Sequence, residues 1–338
     1  MEHVCDILLL SESDLIQCIN YKEVINDIEY AWKKTAENKV VQHRTVLNQG
    51  KGVFHEISGY VPGMPFSVVL TQIFPENIAK HNLPGVGSRI MMLYDTETGL
   101  AKAMISGYGY LGGAVTGAVS GVTAKYLAKK DSRRICIIGA GQQGVSHFLA
   151  LKELFPLQEV RIHDRSREMM ERYVSSMGTY GIPIVPCDTV KEGMKGADIV
   201  MAVTTADAPL IHHDWIEHGM TILKIGSFQE MEPEVITSCD KVVVDWWEHV
   251  EPRSKEMHML VEKGLISQQE LDERKFLYGE LPNIAAGQLK GRENDSERII
   301  SIQLGLSVTF TAVCHHVYKR AQELGLGKHL DIINGELK

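Results

Sequence analysis

The residues from Ile135 to Gly144 read ICIIGAGQQG. Four apolar residues end on Gly139-Ala140-Gly141-Gln142-Gln143-Gly144, the spacing G-x-G-x-x-G. Such a run is a strand that enters a glycine turn and leaves it as a helix. Each glycine has its own task. Gly139 allows the tight turn, Gly141 lets the backbone approach a pyrophosphate, and Gly144 lets helix and sheet pack closely. Gln142 and Gln143 complete the turn at the helix N-terminus, whose dipole attracts phosphate charge. A helix, Val145 to Phe155, and a strand, Glu159 to His163, are expected next. That strand ends in Asp164, twenty residues past Gly144, where an acid that binds ribose hydroxyls belongs. Asp164 favours NAD, because a 2′-phosphate would meet its negative charge. Arg165 and Ser166 follow at once, and an arginine beside a small hydroxyl suits a 2′-phosphate, so NADP stays open.

The elements around this turn alternate helix and strand from Gly113 onward. Strands are expected at Ile135–Ile138, Glu159–His163, Ile184–Val185, Ile199–Ala202, Thr221–Ile225 and Lys241–Val244. The fold class is therefore α/β, a Rossmann-type doubly wound parallel sheet. Apolar runs such as ICII lack alternation because parallel sheets are covered on both faces. Ligands bind at strand C-termini in such sheets. That places Thr204 and Thr205, after the fourth strand, in a cofactor groove, with Gly226 and Ser227, after the fifth, near a nicotinamide. Before Gly113 the pattern differs. Strands Val53–Gly59, Ser67–Phe74, Gly87–Tyr94 and Ala101–Ser106, joined by turns, predict a mixed α+β domain. A long helix from about Gly305 to Leu324 has the spacing to pack against it. The expected domains are 1–112 with 304–338, a discontinuous pairing, and 113–303.

Composition bounds the function. The chain has 338 residues and a net charge of −8, with no basic stripe, which excludes a nucleic-acid binder. Its six cysteines are scattered without C-x-x-C, as expected of reduced thiols in a cytoplasmic protein with no metal site. Ala103 to Ala124 lacks charge and carries Gly113, Gly117 and Gly121 at the spacing of membrane dimerisation helices. Its glycines, serines and threonines make it too polar for a span, so a buried soluble helix is expected and no membrane partner.

Several blocks together resemble the ornithine cyclodeaminase/mu-crystallin family. They are Phe74-Pro75-Glu76-Asn77 with Leu83-Pro84, Thr116 with Ala124-Lys125-Tyr126-Leu127-Ala128, the IIGAGQQG turn, and Gly287 with Gly291-Arg292 and Gly305-Leu306. The resemblance implies a nicotinamide-binding homodimer whose discontinuous domain binds substrate and dimerises. It also implies hydride transfer at a carbon bearing nitrogen, in a small imine, amine or carbonyl substrate. It assigns Thr116 to the pyrophosphate at a helix N-terminus, Arg44 to a substrate carboxylate, and Glu56 to acid–base work, with His55 as the second choice. From the residues alone, Arg44 is equally a solvated helix-end charge and His55 a surface or interface residue. On a strand, His55 and Glu56 face opposite ways.

Three family positions depart from the pattern. Val69 stands where a lysine is usual, Val115 where an arginine precedes the helix threonine, and Phe228 where an acid follows the fifth-strand glycine. A slip of one residue would bring Gln229 or Glu230 into play instead. The departures predict an apolar pocket lined by Val69, Val115 and Phe228, and a substrate bulkier and less anionic than ornithine. The expected activity is an NAD(P)-dependent imine reductase or amine dehydrogenase. The alternatives are a cyclodeaminase-type ammonia lyase using NAD catalytically and a non-catalytic dinucleotide-binding protein.

Overall fold

A computed structural model describes residues 6–48, 50–74, 76–83, 86–107, 109–206, 208–226, 228–332 and 336–337. The chain forms two compact units, 1–115 with 306–338, and 116–305.

The first unit is built on a mixed sheet. Its strands are β1 (Asp6–Leu10), β2 (Val41–Asn48), β3 (Val53–Tyr60), β4 (Phe66–Ile73), β5 (Val86–Tyr94) and β6 (Ala101–Ser106). Lys328–Asp331 and Glu336–Leu337 add two more, in the spatial order Glu336–Leu337, Lys328–Asp331, β1, β6, β5, β4, β3, β2. Strands β2 to β6 run antiparallel to their neighbours and β1 joins β6 in parallel. Helices α1 (Glu12–Cys18), α2 (Tyr21–Ala36) and α3 (Asn77–His81) fall between the strands in sequence. The alternating sequence VQHRTVLN makes β2 a strand, which the expected elements omitted. Arg44 is therefore a strand residue and not a helix-end charge.

Register sorts the inner face of this sheet into rows. One row is Gly59, Ser67, Leu93 and Ala103; the next is Ile57, Val69, Met91 and Ile105; the third is His55, Thr71 and Arg89. Arg44 pairs with Ile57 and shares this face. The helix Ser307–Leu324 covers the first row. Thr311 Oγ1 lies 2.8 Å from Ser67 Oγ. A Cβ on Gly59 would come 2.6 Å from that Thr311 oxygen, so glycine is what lets the helix sit so close. The second row is apolar and buried. The outer face carries the row Glu56, Leu70, Ile90, and Leu70 and Ile90 are exposed.

Helix α4 (Tyr110–Leu127) begins three residues before the expected Gly113. Glu12 Oε1 accepts from the N–H groups of Gly109 and Tyr110, each at 2.6 Å. A carboxylate on the first N–H groups stabilises a helix start, and no local sequence pattern reveals one that arrives from α1.

The second unit is a parallel sheet. Its strands are β7 (Arg134–Ile138), β8 (Glu159–His163), β9 (Ile184–Pro186), β10 (Ile199–Ala202), β11 (Thr221–Ile225), β12 (Lys241–Val244), β13 (Gly279–Glu280) and β14 (Ile299–Gln303). The spatial order is β13-β12-β14-β11-β10-β7-β8-β9. Every pairing is parallel. Both faces are packed. Ile135 and Ile137 join Phe148, Leu151 and Tyr173, whereas Cys136 and Ile138 join Met194, Val235 and Leu260. That is why the strands read as unbroken apolar runs. The order reverses between β7 and β10, the switch point at which such sheets open a crevice. Strand β14 lies between β11 and β12 and has no counterpart among the expected strands. Its short run IISIQ follows a charged stretch, Arg292 to Arg298, that reads as loop. Among the described residues, no helix is long and apolar enough to cross a membrane.

Candidate functional site

In the second unit, the turn after β7 leads into α5 (Gln142–Leu151), and its three glycines divide their labour. Gly139 has φ +115, and a Cβ there would lie 2.7 Å from Val203 O. A Cβ on Gly144 would overlap Gly139 O, so this contact closes helix onto strand. Gly141 is different. It has φ −81 at the N-cap of α5, and a Cβ there would meet nothing within 4 Å. Two glycines serve the protein's own packing, and the third faces open space. That space is a cleft of about 400 Å³ lined by Gly139, Gly141, Asp164, Arg165, Ser166, Thr204 and Thr205.

Asp164 fastens the cleft's near wall. One carboxylate oxygen accepts from Ala140 N–H and the other from Ser166 N–H, both at 2.9 Å. Each oxygen keeps a second lone pair for a further donor. The Ser166 hydroxyl accepts from Met169 N–H and caps the next helix.

Glu230 holds the far wall. Its Oε1 accepts from Thr204 N–H at 2.6 Å and from the Thr204 hydroxyl at 2.8 Å. Ala206 N–H in turn donates to that hydroxyl at 3.1 Å. Burial raises the Glu230 carboxyl to about 7. Behind it, buried Lys224 donates to Gly226 O at 2.5 Å and stands 3.4 Å from the Glu256 carboxylate. Burial lowers the Lys224 ammonium below its ordinary range. Gly226 itself has φ +87. Ser227 lies outside the described residues. Phe228 is 42% exposed. Glu230, two residues on, is a buried support for Thr204 and does not stand in for the family acid at 228.

Thr116 is not at a helix N-terminus, as expected. It is the seventh residue of α4, because that helix starts early. The dipole argument for it falls away, and its hydroxyl instead donates to the Gln143 side chain. The Gln142 carbonyl accepts from Ser146 Oγ at 3.0 Å. Buried His147 lies 2.7 Å through Nδ1 from Gln143 O, and burial lowers it to about 4, so it is neutral.

In the first unit, Arg44 Nη2 lies 3.0 Å from His55 Nδ1. Glu56 does not join them. Strand alternation turns it to the outer face, where His43 Nε2 is 3.9 Å away. Val69 is fully buried and Val115 is 2% exposed, so their side chains are packed and form no open wall. Val69 and Val115 are core residues of the first unit, and Phe228 belongs to the second.

The sequence offers Glu230 only as a substitute for the acid expected at 228, and nothing in Gln229-Glu230-Met231-Glu232 points to its contacts with Thr204. Arg89 it does not single out at all. Arg89 sat in a presumed strand as its lone charge, and register to His55 and Thr71 was needed to give it a place. The signal was present: in VGSRIMMLY, Arg89 and buried Met91 share a face.

The second unit is a Rossmann-type α/β assembly with an open glycine turn and a cleft at its switch point. The chain belongs to the ornithine cyclodeaminase/mu-crystallin family, whose model matches residues 6–325. It is 28% identical over 337 residues to a Delta(1)-pyrroline-2-carboxylate reductase of Bacillus cereus (96% of this chain, 99% of that one). Its fold matches that of the Thermococcus litoralis Delta(1)-pyrroline-2-carboxylate reductase in complex with NADH and L-proline. There the TM-score is 0.87 at 30% identity, covering 95% of this chain and 99% of the other. An archaeal alanine dehydrogenase dimer with bound NAD gives the same TM-score at 27% identity, covering 96% and 99%.

Proposed function

We propose that this protein is an NAD(H)-dependent oxidoreductase acting on a C–N bond, reducing an imine to an amine or running that step in reverse. The observation that carries the reading is Gly141, a backbone position kept bare of side chain over an open cleft. The bound nicotinamide supplies or accepts the hydride. The turn at Gly139–Gly144 offers its N–H groups to the diphosphate, with Thr116 and Gln143 bracing one another beside it. Asp164 holds the adenosine ribose hydroxyls and disfavours a 2′-phosphate, while Arg165 and Ser166 flank it. Thr204 and Thr205 form the opposite wall, kept in place by Glu230. Gly226 ends the neighbouring strand. Arg44 binds the substrate, and His55, in contact with it, is the proton-handling residue in preference to Glu56.

The reading extends to assembly. Leu47, Leu70, Ile90 and Met104 expose apolar side chains on the outer sheet face. An apolar face of this kind marks a protein interface. A second copy of the chain is its proposed occupant, and the related archaeal alanine dehydrogenase is a dimer.

The test is calorimetric titration with NADH and NADPH, followed by assay of a cyclic imino acid and of keto acid plus amine. Loss of reduced-nicotinamide absorbance with amine formation is the expected result. Ammonia release without net absorbance change would make the protein a lyase. Absence of dinucleotide binding would overturn the reading.

A further inference from the structure

We infer that Arg89 is a substrate-binding residue that holds a carboxylate, opposite Arg44 on the inner sheet face. The inference rests on the C–N oxidoreductase reading and specifies its substrate as anionic. Register sets His55, Thr71 and Arg89 side by side on β3, β4 and β5. Neighbouring strands lie about 4.8 Å apart, so the backbones of His55 and Arg89 are separated by roughly 10 Å. The Arg44 guanidinium already leans onto His55 at 3.0 Å. His55, with Arg44 against it, and Arg89 thus flank Thr71 on the two neighbouring strands. The adjoining row on the same face, Ile57, Val69 and Met91, is buried and apolar. A planar guanidinium presents paired donors that match a carboxylate's two oxygens.

The surroundings are fitted to this side chain. Gly112 lies in the first turn of α4, and any Cβ there would overlap the Arg89 guanidinium. Glycine inside a helix costs about 0.5–1 kcal/mol relative to alanine, so room for Arg89 is bought with helix stability. Burial lowers the Arg89 guanidinium to about 10, which leaves it charged at neutral pH. Val69 and Val115 led to the expectation of a less anionic substrate. The inference replaces that expectation: the charge has moved to another strand and is not lost.

The experiment uses the full chain saturated with NADH, titrated with pyrrole-2-carboxylate and with its neutral carboxamide. The wild-type protein should prefer the carboxylate at least tenfold. Arg89→Gln should cut that preference at least fivefold through the carboxylate alone, Arg44 remaining, with carboxamide and NADH affinities unchanged, and Arg89→Lys should keep more of it. In parallel, pyrrole-2-carboxylate should protect Arg89 of the wild-type protein from phenylglyoxal, mapped by mass spectrometry. This arm decides the matter if the glutamine variant does not fold. A Gln variant that keeps the preference, or Arg89 labelled equally with and without the carboxylate, overturns the inference. If NADH binds while the two pyrroles bind equally, Arg89 is wrong and the dinucleotide reading stands. If NADH does not bind, both fail.

Discussion

Replacing Gly141 with alanine separates cofactor binding from folding more cleanly than any other change in the turn. Its φ of −81 is open to alanine, and the new Cβ meets no protein atom within 4 Å. Two small terms act on the fold. Alanine restricts the unfolded chain and stabilises by about 0.4–1 kcal/mol. It is also a poorer N-cap than glycine, by a similar amount. They offset, so the melting temperature should move by no more than about 2 °C. Binding is another matter. The methyl group projects into the cleft and holds the diphosphate away from the N–H donors of the turn. A hydrogen bond to a charged group contributes about 1.5–3 kcal/mol, which corresponds to a roughly 10- to 150-fold weaker Kd for NADH. Gly144→Ala supplies the contrast. Its Cβ overlaps the Gly139 carbonyl, so strand and helix must part. Overpacking of this kind costs about 1–3 kcal/mol, a fall of roughly 3–10 °C. Calorimetry with NADH and a thermal melt on both variants make the comparison. If Gly141→Ala binds NADH within about twofold of wild type, the diphosphate does not approach this backbone and the argument from the open cleft is refuted.

Asp164→Asn keeps an acceptor for the Ala140 N–H and removes the charge. The ratio of kcat/KM for NADH over NADPH should fall by about fivefold or more, and an unchanged ratio would show that Asp164 does not discriminate between the cofactors. Burial raises Glu230 from 4.5 to about 7, so between those values the folded protein holds a proton that the unfolded chain has released. Its contribution to stability is therefore complete below about pH 4.5 and is lost as pH rises through about 7, by up to about 3 kcal/mol. Glu230→Gln should gain in melting temperature relative to wild type as pH is raised across that window; parallel curves would contradict the assignment. Ile90→Lys places a charge at the centre of the exposed outer face, next to Leu70. Light scattering behind a sizing column should report a dimer for the wild type and a monomer for the variant, and a variant of the same mass as the wild type would place the interface elsewhere.

The second unit was the more legible, for a local reason. A buried parallel strand, a glycine turn and the next helix are contiguous in sequence, so Ile135 to Gly144 states its own geometry. Asp164 and the strand-end threonines follow from the same rule about strand C-termini. What escaped there depends on partners distant in sequence. Strand β14 is central only because β11 and β12 part to admit it. Glu230 matters only because Thr204, twenty-six residues earlier, donates to it.

The first unit shows why counting along the chain is a weak guide to a site carried by a sheet. Glu56 and His55 are neighbours in sequence, yet alternation sends one to the outer face and the other toward Arg44. Arg89 lies thirty-four residues from His55 in sequence but only two strands away, because β3, β4 and β5 are joined in a meander with a fixed register. Counting positions from a family block locates Val69 and finds a cation missing. It does not reveal that the next row of the same face carries one on a neighbouring strand. The electrostatics of such a site belong to the face and its rows. A pocket that lacks the usual residue at one position can keep the charge by supplying it from another strand, provided that the helix above yields the space, as Gly112 does here.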